Sequence, residues 1–430
     1  MNEEDSEQMS LYLQDLGFTP ADSIFDASVV ILNTCSVRKK PEDKAFTVLG
    51  ALVPLKKRNP NLILGVCGCM AQARADEIRK RAPHVDFVLG TGDLGQLPGL
   101  VEEAAQKKRF QKRMDLPERR GALVDDVPQR HLGRPEKLKA FVPIQYGCDK
   151  FCTFCIVPTT RGRERSRPLE HVVQEVSVLA SRGTKEVTLL GQTVNSYGKN
   201  LLEGRSSFSE LLWRLSEIPG LERIRYVSPY PRDFTPELVA TIRDCPQVME
   251  HCHLPLQSGD NNVLKEMHRV YSVESFTQIV ESLRREIPGI GLTTDIIVGF
   301  PGETEEQFEN TLKMMERMRF HGAYMFAYST RPGTKAGDRK DQVPEQVKKE
   351  RLNRLIDLQN RITCEVHAEH IGEEMEVLVE GPSHKDPSRL RGYTRDFKMV
   401  HFPASTDRAG RIARVKVTGS HLWGLSAVLI

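Results

Sequence analysis

A chain of 430 residues with 39% apolar and 28% charged side chains has room for about two to four domains; this composition excludes a disulfide-stapled peptide and a disordered tail. No run approaches about 18 uninterrupted apolar residues, and the acidic start Met1-Asn2-Glu3-Glu4-Asp5 lacks the basic and apolar regions of an export signal. The expectation is a cytoplasmic protein with no membrane association. The formal net charge of +3 is too small to diagnose a nucleic-acid partner, so its distribution matters more.

Residues 1–105 alternate short β-branched runs with charged helical segments. Val29-Val30-Ile31-Leu32, Leu62-Ile63-Leu64-Gly65-Val66 and Val85-Asp86-Phe87-Val88-Leu89 read as strands of an α/β unit, a small open parallel sheet of βαβ type. Ligands of such sheets sit past the carboxyl ends of the strands, where Cys35 and Cys69 fall. Residues 106–138 carry no sustained period. Eleven Lys or Arg residues lie between Lys107 and Lys139, with Pro117, Pro128 and Pro135 among them, which marks a basic linker.

From Lys139 the apolar runs return. A first strand at Phe141 to Gln145 is followed by runs at Val187–Leu190, Ile224–Val227, His251–Leu254, Thr294–Val298 and Tyr324–Ala327, with helical segments between. Six βα units are fewer than the eight of a closed barrel, so 139–370 reads as an open, partial (βα)6 barrel. Pro344 opens a last helix. After it, runs such as Met375–Val379 and Arg411–Val417 alternate over 371–430, the pattern of a small β-barrel. This segment is basic, with nine Lys or Arg against three Asp from Gly381 onward.

Nine cysteines in a reducing compartment point to metal or redox chemistry rather than disulfides. Cys148, Cys152 and Cys155 form a Cys-x3-Cys-x2-Cys loop directly after the first barrel strand. Three thiolates from one loop can hold three irons of a 4Fe-4S cluster and leave the fourth open, whereas zinc would want a fourth protein ligand nearby.

This loop resembles that of the radical S-adenosylmethionine (SAM) superfamily, in which the open iron chelates SAM and an electron cleaves it to a 5′-deoxyadenosyl radical. Longer stretches resemble the methylthiotransferase family within it. They are Tyr146 to Cys152 continuing through Thr160-Arg161-Gly162-Arg163-Glu164, Leu190 to Gly198, His253 to Gly259, Gly299 to Thr304 and Tyr328 to Thr334. Gln192 with Asn195-Ser196-Tyr197, and Arg331-Pro332-Gly333-Thr334, are most similar to the branch acting on N6-dimethylallyladenosine in tRNA.

The resemblance implies an N-terminal methylthiotransferase domain, a radical SAM barrel and an RNA-gripping TRAM domain. It implies two 4Fe-4S clusters, SAM, the tRNA anticodon stem-loop as partner, an electron donor such as flavodoxin or ferredoxin, and a monomer. The SAM-binding cluster would use Cys148, Cys152 and Cys155 as catalytic ligands. The auxiliary cluster would use Cys35 and Cys69. The family's third auxiliary cysteine lies two positions before a Met-Asn-x-x-Asp-Ser-Glu stretch, which here begins the chain, so the first strand and that cysteine are expected to be missing. Cys67 is then either a substitute or a buried structural residue. Gln192 and Asn195 are expected to meet SAM, Ser228, Gln257 and Asp295 to meet SAM or the substrate base, Gly299 to let the backbone approach the adenine, and Arg161 to meet SAM or tRNA phosphate. Cys245, Cys252 and Cys364 read as core or inert.

The implied reaction places a methylthio group on C2 of the isopentenylated adenine at tRNA position 37, one SAM giving the methyl and another the radical. The alternatives are the same chemistry on threonylcarbamoyl-adenosine or on a ribosomal-protein aspartate, and a noncatalytic iron-sulfur RNA-binding protein.

Overall fold

The computed structural model describes residues 1–36, 39–92, 94–107, 109–116, 130, 132–201, 206–403 and 405–430. Much of the predicted basic linker, including Pro117 and Pro128, lies outside the described residues.

The N-terminal strands Val29–Thr34, Ile63–Gly68 and Phe87–Leu89 pair in parallel in chain order. A parallel neighbour demands a crossover, and the helices Lys39–Ala51, Cys69–Arg81 and Leu97–Lys107 supply it. With both faces covered, the strands are near-continuously apolar rather than alternating. On one face Val66 and Val88 meet Phe46, Leu49, Met70 and Ile78. On the other, Ile63, Cys67, Phe87 and Leu89 meet Leu97, Leu100 and Met9 of the helix Asn2–Asp15. A fourth strand, Gln111–Arg113, adds to the edge. Three polar residues offer no apolar run, so it went unread within the linker.

The barrel forms from six parallel strands in chain order. Lys139–Pro143, Glu186–Leu190 and Arg223–Tyr226 make one triplet, and His251–His253, Gly291–Val298 and Gly322–Ala327 the other. An isolated bridge, Ile224 to Val248, joins the two. Among the described residues the first and last strands do not pair, so the sheet is an open arc. Its convex face packs Val187, Leu189, Ile224, Cys252, Leu292 and Ile296 against helix residues such as Val176, Leu211, Leu215, Phe276, Val280 and Phe308. Capping boxes at Ser272 and Thr304 start the helices Val273–Glu286 and Glu305–Met318 by satisfying otherwise orphaned N–H groups. Gln359 of the long helix Glu345–Glu369 donates to the Phe320 carbonyl (2.8 Å), fastening that helix beside the last strand.

Five antiparallel and parallel strands then close into a small barrel: Glu374–Pro382, Arg389–Thr394, Met399–Pro403, Gly424–Leu429 and Ile412–His421, the last pairing back to the first. Closure removes sheet edges. It docks through guanidinium groups: Arg223 donates to the Tyr393 carbonyl (2.7 Å), Arg225 to the Thr394 carbonyl (2.7 Å), and Arg395 pairs with Glu250 (2.7 Å). Among the described residues no helix is long and apolar enough to cross a membrane.

The N-terminal helix is tied to the barrel by a buried ionic chain. Arg134 pairs with both Glu7 and Glu175 (2.7 Å to the latter), and Glu175 also holds Arg167 (2.6 Å). Burial pushes the Glu175 carboxyl upward, but Arg167 and Arg134 outweigh it and keep the group below its ordinary 4.5. A depressed carboxylate contributes stability that is present above that ordinary value and is lost as pH falls through the folded-state value. Glu175→Leu, which leaves the buried Arg167 without its carboxylate and Arg134 with Glu7 alone, is expected to lose about 3–5 kcal/mol in denaturant unfolding at neutral pH, with the difference from the parent shrinking in acid. An unchanged midpoint at neutral pH contradicts this reading.

Candidate functional site

The three-cysteine loop begins at a turn only glycine allows. Gly147 takes φ +69°, and a Cβ there would stand 2.2 Å from the Arg163 carbonyl oxygen. The loop is pinned from two sides: Thr153 N–H donates to the Met267 carbonyl (3.1 Å), and Ala336 N–H to the Thr153 carbonyl (2.9 Å). All three thiols are free. Lys150 N–H points at Cys148 Sγ (3.5 Å), and the Arg269 guanidinium donates to Cys152 Sγ (3.3 Å). Arg269 is itself fixed by Tyr271 Oη (2.8 Å) and lies over the Tyr230 ring.

Burial pushes Cys148 up to about 12, and burial with the neighbouring Cys152 and Cys69 pushes Cys155 to about 11. Such thiols stay protonated at neutral pH until a cation displaces the proton. Donors aimed at sulfur suit thiolate ligands of an iron-sulfur cluster. Among the described residues no three His, Cys, Asp or Glu are drawn together for a single metal ion.

The N-terminal cysteines open toward this loop. Cys35 and Cys69 line a cavity of about 240 Å³ together with Ile156, Val157, Arg161, Gln192 and Ser228 of the barrel. Gly68, at φ +94°, turns the chain between Cys67 and Cys69. It sends Cys67 into the core against Met9 and Phe87, while Cys69 starts the helix Cys69–Arg81. Cys67 is therefore structural. Arg161 is buried and donates to Asn2 Oδ1 (3.0 Å), Asp5 Oδ2 (2.9 Å) and the Cys69 thiol. Gln192 contacts Met1 Sδ through its amide nitrogen, and its buried Oε1 has no partner among the described residues.

A second cavity, about 200 Å³, adjoins the first at Ile156 and Val157 and has Cys155 in its wall. It is lined by Phe154, Gln257, Asp295, Phe326, Tyr328 and Arg331, among others. Gln257 is held at φ +71° by backbone bonds to Asp295 and Ile297, and Asp295 faces His253 Nε2 (3.3 Å). Arg331 crosses to Glu42 of the N-terminal domain (3.1 Å), beside Ser36, while its Nε and Nη2 stay buried with no partner among the described residues.

Two predicted cofactor contacts lie elsewhere. Asn195 uses both ends of its amide on the Tyr230 backbone (3.0 and 2.7 Å), clamping the loops after the second and third barrel strands. Gly299 N–H donates to Glu303 (2.6 Å), and a Cβ there would stand 2.4 Å from Lys348 Cγ, so the helix Glu345–Glu369 fills its space. Cys245 and Cys252 are buried in the core, whereas Cys364 is exposed. Sequence reasoning missed Arg269, Glu42 and His253 and gave Arg331 no role. Arg331 and His253 stood inside quoted motifs, but nothing in spacing told which neighbour each would meet.

An open six-strand barrel with three thiols past its first strand is the framework of a radical SAM enzyme, and the comparisons agree. The Radical SAM superfamily profile matches residues 142–315, that of "Uncharacterized protein family UPF0004" residues 1–90, and the TRAM domain residues 369–430. The chain is 49% identical to the tRNA-2-methylthio-N(6)-dimethylallyladenosine synthase of Moorella thermoacetica, over 100% of this chain and 96% of that protein. It is 44% identical to the protein of the same name from Carboxydothermus hydrogenoformans, over 100% and 97%.

Among solved structures it resembles the radical SAM methyltransferase TsrM from Kitasatospora setae, with cobalamin and a 4Fe-4S cluster bound, at TM-score 0.56 and 16% identity over 77% of this chain and 73% of that one. The cobalamin-dependent radical SAM enzyme OxsB gives TM-score 0.51 and 14% identity over 83% and 53%. These two likenesses are of fold alone. The chain belongs to the tRNA-2-methylthio-N(6)-dimethylallyladenosine synthase family of radical SAM enzymes. Membership brings with it SAM and a 4Fe-4S cluster.

Arg161 joins the barrel to the N-terminal helix, so its removal has a local signature. Arg161→Met leaves Asp5 with the more distant Arg130 and the Met1 ammonium as its neighbouring cations. It is expected to speed amide hydrogen exchange across Asn2–Asp15 by about tenfold or more, corresponding to at least about 1.4 kcal/mol of lost local stability, while the closed C-terminal barrel exchanges as before. Unchanged exchange in that helix would contradict the anchoring role.

Proposed function

We propose that this protein installs a methylthio group on C2 of N6-isopentenyladenosine at position 37 of tRNA, using one SAM as methyl donor and a second as radical source. The observation that supports the reading is the adjoining space between domains: Cys35 and Cys69 line one cavity with Ile156 and Val157, and the same two residues line a second cavity with Cys155, so the two thiol sets lie on neighbouring cavities. The names of the full-length relatives support the substrate.

In this reading Cys148, Cys152 and Cys155 hold a SAM-binding 4Fe-4S cluster, and Cys35 and Cys69 belong to an auxiliary one. When bound, the clusters and SAM supply one-electron cleavage of a sulfonium and a transferable sulfur, chemistry required because an aromatic C–H has no acidity for a general base to use. The chain's own residues position and enclose. Lys150 N–H and Arg269 orient the sulfurs of Cys148 and Cys152. Gln257 and Asp295 offer polar contacts for SAM beside Cys155, and His253 holds the Asp295 carboxylate in place. Gln192, Ser228 and Arg161 face the chamber on the auxiliary side. Asn195 and Gly299 act by shaping loops around the site. Phe154, Ile156, Val157, Ile297 and Phe326 keep water from the cavity.

The partner is the anticodon stem-loop, its target base flipped out for chemistry. The basic C-terminal barrel and the basic residues of 106–138 other than the buried, carboxylate-paired Arg130 and Arg134 contact phosphates that position the RNA without reading it. A flavodoxin or ferredoxin as reductant, a monomeric state and a cytoplasmic setting complete the proposal.

Two measurements test it. Anaerobically reconstituted protein is expected to lose about four irons per chain in the Cys148→Ala, Cys152→Ala, Cys155→Ala variant. Nucleosides of tRNA from a deletion strain should lose the 2-methylthio mark on isopentenyladenosine and regain it with the parent gene but not with that variant. A mark lost instead from threonylcarbamoyl-adenosine, or no loss at all, contradicts the assignment.

A further inference from the structure

The open edge of the barrel leaves one aromatic ring uncovered. Tyr324, on the last strand Gly322–Ala327, is 61% exposed. Side chains alternate along a strand: Ala323 and Met325 pack into the core behind the sheet, so Tyr324 and Phe326 face the lumen. Phe326 lines the cavity beside Cys155, and Tyr324 stands in register with Asp295, another lining residue of that cavity. Two residues of strand separate Tyr324 from Phe326 by about 7 Å, the length of a purine.

The surroundings of Tyr324 are aromatic and basic, and come from two domains. Its ring meets the His253 imidazole edge to face (5.6 Å between centroids, 68°), and His253 is fixed by Thr293 Oγ1 (3.0 Å). From the C-terminal barrel, Tyr393 stacks on Phe397 (4.8 Å, 14°), and Phe397 meets His251 (4.9 Å). Lys139 sits over the Tyr393 ring and Arg225 over that of Phe397, giving a layered column of cation, ring, ring, cation. Phe397 is held at φ +68°, a conformation bulky residues rarely adopt, which commits backbone strain to placing this ring. Lys139 and Arg225 are already paired with Glu380 and Glu186, so they brace the column rather than reach for phosphate. Within this group Tyr324 is the most open ring, 61% exposed against 39% for Phe397.

An open ring beside a reaction cavity, flanked by a rigid aromatic column, matches how proteins hold unpaired bases, by stacking. We propose that Tyr324 is the stacking platform for the purine that enters the barrel, with the Tyr393–Phe397 column setting the position of the neighbouring wall. The proposal rests on the tRNA reading and deepens it by naming the residue that grips the target base.

The test is a cycle between protein and RNA. Binding of a fluorescently labelled anticodon stem-loop carrying N6-isopentenyladenosine is measured by anisotropy on the reconstituted full chain, alongside the same stem-loop with an abasic residue at that position. Tyr324→Ala is expected to weaken binding of the intact loop by about tenfold, Tyr324→Phe to restore it, and the abasic loop to bind the parent and Tyr324→Ala alike. The exposure of Tyr324 makes the variant safe for folding, which thermal melting confirms. If the parent forms product but Tyr324→Ala binds the intact loop as tightly, or weakens the abasic loop equally, Tyr324 does not stack on the target base. If the parent neither forms product nor distinguishes the two loops, the tRNA reading itself fails, and this proposal with it.

Discussion

The organising constraint in this molecule is electrostatic: a buried guanidinium needs its partners, and here the partners belong to different domains. Arg161 of the barrel has Asn2 and Asp5 of the N-terminal helix and the Cys69 thiol within bonding reach. Arg331 reaches Glu42, which also holds Arg74. Neither arginine can lose its partners without leaving a charge buried and unpaired, a loss of several kcal/mol. The two domains are thereby held in one relative placement, and that placement turns the Cys35 and Cys69 loops toward the three-cysteine loop.

Placement at strand ends makes such a site possible. In both the N-terminal sheet and the barrel the parallel strands direct their carboxyl ends to the same interdomain space, because loops after parallel strands are free to vary while strands are not. The cysteines sit on those loops, and the residues that hold the loops still, Gly147, Gly68, Asn195 and the Thr153 backbone, carry no redox chemistry of their own. Stiffness of this kind matters most where loosely held radical chemistry would attack the protein.

Much of the architecture was legible because it rests on local pattern. The three N-terminal runs and all six barrel runs became strands, since β-branched apolar segments bounded by charged helices leave few alternatives. The strand Gln111–Arg113 was not legible, being polar and held by its neighbour alone. At the site, the cysteine loops could be read from spacing, and the turn between Cys67 and Cys69 decided what spacing left open. The network of Arg269, Arg331, Glu42 and His253 could not be read, because each side chain gains its role from a residue far away in sequence. Asn195 and Gly299 show the converse: residues that read as cofactor contacts also brace backbone and helix.

The central claim, that two thiol sets from separate domains lie close together on adjoining cavities, is open to a direct spectroscopic test. With both clusters reconstituted and reduced, paramagnetic resonance should show spectra broadened by mutual dipolar coupling, and the signal of the N-terminal cluster should sharpen when the barrel cysteines are replaced by alanine. Spectra that are the plain sum of two isolated clusters would place the thiol sets too far apart and contradict the account.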